Sequence, residues 1–228
     1  MTPPVVLVHG WGGSFAATFA SGGWLRDLEV AGRTIVALDL PGHGRAPASH
    51  DPRAYADLAT GLVDRLPDGP LDAVGFSLGG KLLLEIALRG TRRFRRLVIG
   101  GVGDNIFAPE RSGELVAEAL ERGLSSDAPL AVVALVEYSR ASGGHPMALA
   151  AVLRRPPNPQ ITAERLRRFA GEIMVINGGL DRIASPDDAF IAALPAAALV
   201  RLPDVDHVSL PGNAAFRRAA LAFLNDGR

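Results

Sequence analysis

The sequence contains no cysteine, no excess of charge of either sign and few aromatic residues. Without cysteine the chain has no disulfide bond, no thiolate ligand for a metal ion and no cysteine nucleophile. Lysine plus arginine and aspartate plus glutamate number 24 each, so the formal net charge is zero. Nucleic-acid-binding domains usually carry excess positive charge, and we therefore expect no nucleic-acid partner.

Long apolar runs are also missing. No stretch of about 18 apolar residues, the length that a membrane-spanning helix needs, occurs in the sequence. The sequence begins Met-Thr-Pro-Pro and then enters an apolar run, without the pattern of a secretory signal. We expect a cytoplasmic protein without a membrane partner. Hydrophobic residues make up 48% of the chain, which is enough to bury a core.

Short β-branched runs alternate with longer helical patterns, which predicts βαβ units and a parallel sheet. The predicted strands cover residues 4–8, 34–38, 71–76, 97–100, 172–177 and 198–202. The predicted helices between them cover residues 52–66, 78–89, 186–193 and 213–224. The predicted fold class is therefore α/β.

One connection is longer than a compact α/β domain usually needs. Between residues 104 and 170 no strand pattern occurs, and helical patterns cover 114–122, 130–139, 147–154 and 163–169. A connection of this length is usually a functional insertion. We predict a helical cap at 104–170 over the carboxyl edge of the sheet, inserted into a core formed by 1–103 and 171–228.

A candidate nucleophile lies at the end of the third predicted strand. Gly75-Phe76-Ser77-Leu78-Gly79 matches the pattern G-x-S-x-G, and Gly80 extends it. The pattern lies between an apolar strand and an apolar helical run, which is the setting of a nucleophile elbow. The glycines let backbone segments approach closely at a strained turn, so that the hydroxyl of Ser77 is exposed above the sheet.

A neutral serine hydroxyl is a poor nucleophile and needs a base. His207 follows the last predicted strand after a short acidic loop, at the edge where open α/β folds bind ligands, and is the candidate base. The other histidines have structural interpretations. His9 is interpreted as a brace for its loop, and His43 lies in a tight turn. His50 lies in a polar loop, and His145 belongs to the predicted cap.

The acid that orients the base should also come from a loop at this edge. Asp181 follows the fifth predicted strand and is the preferred candidate. Asp204 and Asp206 remain alternatives, although residues so close to His207 in the chain seldom reach its Nδ1 atom. The chain order Ser77, Asp181, His207 differs from the orders in chymotrypsin and subtilisin.

An oxyanion intermediate needs preorganised N–H donors. The first expected donor is the amide of Leu78, the residue after the nucleophile. For the second we choose the amide of Trp11, in the glycine-rich turn His9-Gly10-Trp11-Gly12-Gly13-Ser14 after the first strand. The alternative is that Trp11 only packs in the core.

Five motifs occur in a familiar order along almost the whole chain. They are His9-Gly10-Trp11-Gly12-Gly13, Asp39-Leu40-Pro41-Gly42-His43-Gly44, Gly75-Phe76-Ser77-Leu78-Gly79-Gly80, Gly179-Leu180-Asp181 and the loop around His207. Together they resemble the α/β-hydrolase superfamily. The tryptophan after His-Gly and the Ser-Leu-Gly-Gly elbow are similar to those of small carboxylesterases such as the pimeloyl-carrier-protein methyl ester esterase. Meta-cleavage C–C hydrolases and the lyase of menaquinone synthesis share this framework, so the resemblance does not separate them.

The resemblance implies an α/β-hydrolase fold with oxyanion donors at Trp11 and Leu78. Most members begin with a strand hairpin ahead of the first motif, whereas this chain starts at the motif strand. We therefore expect a reduced, mostly parallel sheet of about six strands, flanked by helices and carrying the cap. Another subunit could cover the sheet edge, and we expect a monomer or a homodimer.

The resemblance and the cap together imply an apolar acyl pocket between the elbow and the cap. The floor of this pocket is expected to contain Trp11, Phe76, Leu78 and Val208. Its roof is expected to contain Phe107, Tyr138 and Met147. The roof residues could instead form the core of the cap. Such a pocket suits an uncharged small to medium acyl group, without a metal ion or other cofactor. We expect hydrolysis of a carboxylic ester or thioester, with C–C bond hydrolysis, a lyase reaction or a non-catalytic ligand receptor as alternatives.

Overall fold

A computed structural model describes residues 2–90, 93–107, 113–157 and 160–225. It contains the six predicted strands, with small differences at their ends. They are Val5–Val8 (β1), Ile35–Leu38 (β2), Leu71–Phe76 (β3), Phe94–Gly100 (β4), Glu172–Gly178 (β5) and Ala198–Leu202 (β6). The strands pair in the order β2-β1-β3-β4-β5-β6, and every pairing is parallel. The predicted six-stranded parallel sheet is confirmed.

The centre of the sheet is buried on both faces. Every residue of β1 and β3 is buried, whereas the edge strand β6 is largely exposed. Continuous apolar strands are typical of a parallel sheet that helices cover on both sides. One face buries Phe19, Trp24 and Phe216, and the other buries a larger cluster that includes Leu40 and Tyr55.

Helices connect the strands across the two faces. They are Trp24–Val30 (α1), Leu58–Val63 (α2), Leu78–Leu88 (α3), Gly113–Arg122 (α4), Leu130–Ala141 (α5), Pro146–Leu153 (α6), Ala163–Arg167 (α7), Asp188–Ala192 (α8) and Ala214–Asn225 (α9). A π-helical turn at Ala16–Ala20 and α1 had not been predicted. Within the described residues, no helix is both long and apolar enough to cross a membrane.

The prediction of one continuous helix at 52–66 is wrong, because the structure has two separate helical segments there. A 3₁₀ turn at Pro52–Tyr55 precedes α2. The side chain of Asp51 accepts a hydrogen bond from the Arg53 amide, and that of Asp57 accepts one from the Thr60 amide. Each aspartate therefore caps its own helical start, which separates the two pieces.

The four helices α4 to α7 lie between β4 and β5, within the stretch predicted to form the cap. Helices α4, α5 and α6 share a small apolar cluster of their own, which includes Val116, Val136 and Leu149. Residues 108–112 and 158–159 of the predicted cap lie outside the described residues. The division into a core and a cap with boundaries at 104 and 170 stays a prediction.

Candidate active site

Ser77 lies between the last residue of β3 and the first residue of α3. Its φ and ψ angles are 51° and −117°, and it is the one non-glycine residue with positive φ among those that the structure describes. Backbone of this kind is strained and is found mainly where function requires it. A Cβ atom on Gly75 would lie 2.7 Å from Gly80 Cα, and one on Gly79 would clash with the carbonyl oxygen of Val8. The glycines of the motif therefore allow the close approach that the turn needs.

Three of the predicted site residues form one hydrogen-bonded chain. His207 Nε2 lies 3.1 Å from Ser77 Oγ, and His207 Nδ1 lies 2.7 Å from Asp181 Oδ2. The other oxygen of Asp181 accepts hydrogen bonds from the amides of Ile183 and Ala184, at 2.9 and 2.8 Å. With this acceptor-only carboxylate on Nδ1, the imidazole holds its proton there and leaves Nε2 free to accept the serine proton. The structure thus brings Ser77, Asp181 and His207 together, and their catalytic roles stay a prediction.

The two alternative acids have different surroundings. The carboxylate of Asp206 accepts hydrogen bonds from the amide and the hydroxyl of Ser209, at 2.8 and 2.7 Å. These hydrogen bonds, the amide first, hold the pKa of Asp206 below its usual value. Asp204 is exposed, and no hydrogen bond joins Asp204 or Asp206 to the His207 ring within the described part of the chain. The geometry therefore favours Asp181.

His9 and His43 are also buried, but they contact backbone groups. His9 Nδ1 lies 2.8 Å from the Gly10 carbonyl oxygen, and its Nε2 accepts a hydrogen bond from the Leu40 amide at 3.1 Å. His43 Nδ1 lies 3.0 Å from the Pro41 carbonyl oxygen. Burial lowers the pKa of both rings, and it lowers that of His43 to about 3. Both rings are therefore neutral and contact the backbone of their own loops, and the interpretation of His9 as a loop brace agrees with its contacts.

The predicted oxyanion loop contacts the nucleophile elbow directly. The Gly13 amide donates to the Gly10 carbonyl oxygen at 3.2 Å, and Gly12 has a φ of 75°, so Trp11 and Gly12 occupy the centre of a tight turn. A Cβ atom on Gly10 would lie 3.1 Å from Ser77 Cβ. Within the ranges that the structure describes, neither the Trp11 nor the Leu78 amide donates a hydrogen bond to another protein group. Neither amide is therefore used within the described fold, which is what an oxyanion donor requires.

The predicted pocket residues have unequal exposure. Phe76 is only 2% exposed, and its ring packs 4.9 Å from the His207 ring, which counts against a direct substrate contact. Met147 and Val208 are each 39% exposed. Tyr138 lies against the oxyanion loop, and Phe107 packs against the main core cluster. Their contacts with a substrate stay predictions.

One residue beside the site was not predicted to have a role. Asn177 ends in a buried amide whose oxygen accepts hydrogen bonds from the amides of Gly101 and Val102, at 3.0 and 3.3 Å. Its nitrogen donates to the Val102 carbonyl oxygen and to Asp187. A Cβ atom on Gly101 would lie 3.1 Å from His207 Cε1, so Asn177 fixes the loop that supports the imidazole. The sequence signal was a polar residue at the end of an apolar strand.

A separate cavity of about 580 Å³ lies near the opposite edge of the sheet, where β4 and β5 begin. Its lining includes Phe94, Phe169, Arg93, Arg165 and Arg168, and it contains none of the predicted site residues. No group of three or more His, Asp or Glu side chains able to hold a metal ion occurs in the described ranges. The candidate site is therefore the one around Ser77.

Comparisons with known proteins agree with this fold. Residues 5–219 match the model of the alpha/beta hydrolase family, so the chain belongs to that family. It is 32% identical over 102 residues to the 2-hydroxymuconate semialdehyde hydrolase of a Pseudomonas species, covering 43% of this chain and 36% of that protein. It is 36% identical over 120 residues to the pimeloyl-[acyl-carrier protein] methyl ester esterase of Neisseria meningitidis serogroup B, covering 51% of this chain and 43% of that protein.

Among solved structures, NosK from Streptomyces actuosus superimposes with a TM-score of 0.66 at 27% identity, covering 98% of this chain and 97% of that one. The expected α/β-hydrolase fold is thereby confirmed. The match to the two curated relatives spans less than half of their own length. The first of these proteins is named for hydrolysis of a semialdehyde and the second for hydrolysis of a methyl ester, so family membership alone does not define the substrate.

Proposed function

We propose that this chain is a serine hydrolase that cleaves a carboxylic ester or thioester of a small to medium acyl group. The observation that carries the proposal is the hydrogen-bonded chain from Ser77 Oγ through the His207 ring to Asp181, at 3.1 and 2.7 Å. The strained backbone of Ser77 and the two available amides of Trp11 and Leu78 support the same reaction. Together these groups supply a nucleophile, a base and an oxyanion site.

In the proposed first half-reaction, Ser77 Oγ attacks the carbonyl carbon while His207 Nε2 accepts the serine proton. The oxyanion that forms accepts hydrogen bonds from the amides of Trp11 and Leu78. The bond to the leaving group then breaks, and His207 returns the proton to the departing alcohol or thiol. Water attacks the acyl-enzyme in the same manner, which releases the acid and restores the Ser77 hydroxyl. Asp181 keeps the ring oriented and stabilises its charged form throughout.

The remaining sequence expectations belong to the same proposal. The substrate is a small molecule with an acyl group, and the protein acts in the cytoplasm as a monomer or homodimer. It needs no nucleic-acid or membrane partner and no cofactor. The balanced charge of 24 basic and 24 acidic residues supports the first of these exclusions.

A second candidate function is hydrolysis of a C–C bond on the same three residues. The similarity to 2-hydroxymuconate semialdehyde hydrolase favours it, at 32% identity. A lyase reaction and a non-catalytic receptor are further alternatives from the sequence. We rank ester hydrolysis first, because the match to the methyl ester esterase is longer, at 120 residues.

The test uses a panel of p-nitrophenyl esters, thioesters, lactones and vinylogous diketones with wild type, Ser77→Ala and the control Ser209→Ala. Wild type and the control should hydrolyse the short esters, whereas Ser77→Ala should lose about 10⁴- to 10⁶-fold in kcat. A fluorophosphonate should label wild type once, on Ser77, as mass spectrometry can show. Turnover of diketones alone would favour the C–C hydrolase, and absence of labelling and turnover would contradict an enzymatic function.

A further inference from the structure

The chain has two tryptophans, and each donates its indole N–H to a backbone carbonyl oxygen. Trp24 Nε1 donates to Pro211 at 2.8 Å inside the core. Trp11 Nε1 donates to Leu149 at 3.1 Å, and Leu149 belongs to α6, 138 residues further along the chain. The predicted oxyanion loop is therefore bound to a helix of the predicted cap.

Further contacts join the oxyanion loop, and the π-helical turn that follows it, to α5 of the predicted cap. The hydroxyl of Tyr138, on α5, lies 3.3 Å from the hydroxyl of Thr18. A Cβ atom on Gly12 would lie 3.2 Å from Ser139 Cβ, and one on Gly13 would lie 2.6 Å from the Tyr138 hydroxyl. The backbone of the loop thus packs directly on the side chains of Tyr138 and Ser139 of α5.

We propose that Trp11, through its indole N–H, and Tyr138, which lies against Gly13 and contacts Thr18 just after the loop, are positioning residues that hold the oxyanion loop against the predicted cap. This inference rests on the proposed function, since it assigns the Trp11 amide to the oxyanion. An amide must be held within a few tenths of an ångström to be preorganised. The turn has two adjacent glycines at positions 12 and 13 and is flexible on its own. Contacts from α5 and α6 restrict that flexibility.

The first test compares Trp11→Phe with the matched control Trp24→Phe. Each substitution keeps an aromatic ring and removes one indole hydrogen bond to a carbonyl. Trp11→Phe should lower kcat roughly three- to tenfold with little change in KM, because one neutral hydrogen bond is lost indirectly. Trp24→Phe should lower the unfolding temperature and leave kcat of the folded enzyme within twofold, roughly the assay scatter. Equal effects of the two substitutions on kcat would overturn the proposal.

The second test compares Tyr138→Phe with Tyr55→Phe, whose hydroxyl contacts the backbone of Ser49 instead. Two inhibitors are compared, a trifluoromethyl ketone and the matching methyl ketone. The trifluoromethyl ketone forms a tetrahedral oxyanion on the serine. In Trp11→Phe and Tyr138→Phe, affinity for the fluorinated ketone should fall by the same factor as kcat/KM. Affinity for the methyl ketone should stay constant. A purely structural role would weaken both ketones together.

Hydrogen exchange separates this inference from the proposed function, because it needs no substrate. In Trp11→Phe the amides of residues 10–14 should exchange at least about threefold faster, and in Trp24→Phe they should not. Unchanged exchange of these amides would refute the contact between loop and cap. If exchange is faster in Trp11→Phe but the fluorophosphonate does not label the wild-type protein, the loop contact stands and the proposed function is refuted, together with the catalytic part of this inference.

Discussion

Two groups of buried imidazoles lie at the carboxyl edge of the same sheet, and they have different partners. His9 and His43 follow β1 and β2, and His207 follows β6. The Nδ1 atoms of the first two contact the carbonyl oxygens of Gly10 and Pro41, whereas that of His207 contacts a carboxylate. The partner of Nδ1 therefore distinguishes a structural imidazole from a candidate base.

A nearby carboxylate alone does not make a histidine a base. Asp39 lies 3.6 Å from His9 Nε2, but its two oxygens accept hydrogen bonds from the amides of Phe15 and Arg45. His9 Nε2 itself accepts from the Leu40 amide, so no free nitrogen remains for a substrate or a serine. In contrast, the second nitrogen of His207 faces a hydroxyl. Geometry at both nitrogens, and not proximity to an acid, makes His207 the candidate.

The largest expected effect comes from replacing one imidazole of each kind in separate variants. His207→Gln should lower kcat by about 10⁴-fold or more, because the serine loses its proton acceptor. His43→Phe should keep kcat of the folded enzyme within about tenfold, or ~1.4 kcal/mol in the barrier. Both are measured with a short p-nitrophenyl ester and corrected for the folded fraction. Comparable losses of kcat in the two variants would contradict the distinction between a structural imidazole and a catalytic base.

The next largest effect on kcat is expected from the carboxylate of Asp181. Asp181→Asn should lower kcat by about 10⁴-fold with little loss of fold, since the amide no longer holds the imidazole in the required tautomer. Asp206→Asn is the matched control, because its carboxylate contacts Ser209 and lies beside His207 in the chain. It should keep most of the activity. If Asp206→Asn costs more kcat than Asp181→Asn, the assignment of the acid is wrong.

The strands and the elbow could be predicted because their signals are local. Buried parallel strands such as β1 are continuous apolar runs, and the motif around Ser77 joins a strand to a helix. Strand β4 starts at Phe94, three residues before its predicted start at residue 97. The extra residues include Arg95 and Arg96, whose partners Asp72 and Glu172 come from neighbouring strands. Such ion pairs cannot be read from a local pattern.

Helix α1 and the contacts of the oxyanion loop could not be predicted for a related reason. Helix α1 has seven residues, of which only Trp24 and Leu28 are buried, so it is too short for an apolar periodicity to be recognised. Packing of Trp24 against Phe19 and Phe216 stabilises it, at ring distances of 5.6 Å. The bond from Trp11 to Leu149 likewise depends on how α6 lies over the loop. Sequence motifs identify residue types at the site, whereas tertiary packing decides their neighbours.

The smallest expected effect is the contribution of the buried, neutral His43 ring to the pH dependence of stability. The pKa of His43 is lowered from 6.5 to about 3, first by burial and then by the nearby His9, so the unfolded chain binds more protons than the folded one between these values. The free energy of unfolding should therefore fall as the pH drops from about 6.5 towards 3, by at most ~1.4 kcal/mol per pH unit from this group. His43→Phe removes the titrating ring and should flatten the pH dependence of the free energy of unfolding by that amount, as urea unfolding at pH 7, 6, 5 and 4 can measure.

Tyr55→Phe, a core substitution that removes no histidine, is the control and should shift the wild-type curve without changing its slope. Parallel curves for wild type and His43→Phe would mean that His43 is not held neutral by burial, and the distinction between the two groups of imidazoles would then rest on contacts alone.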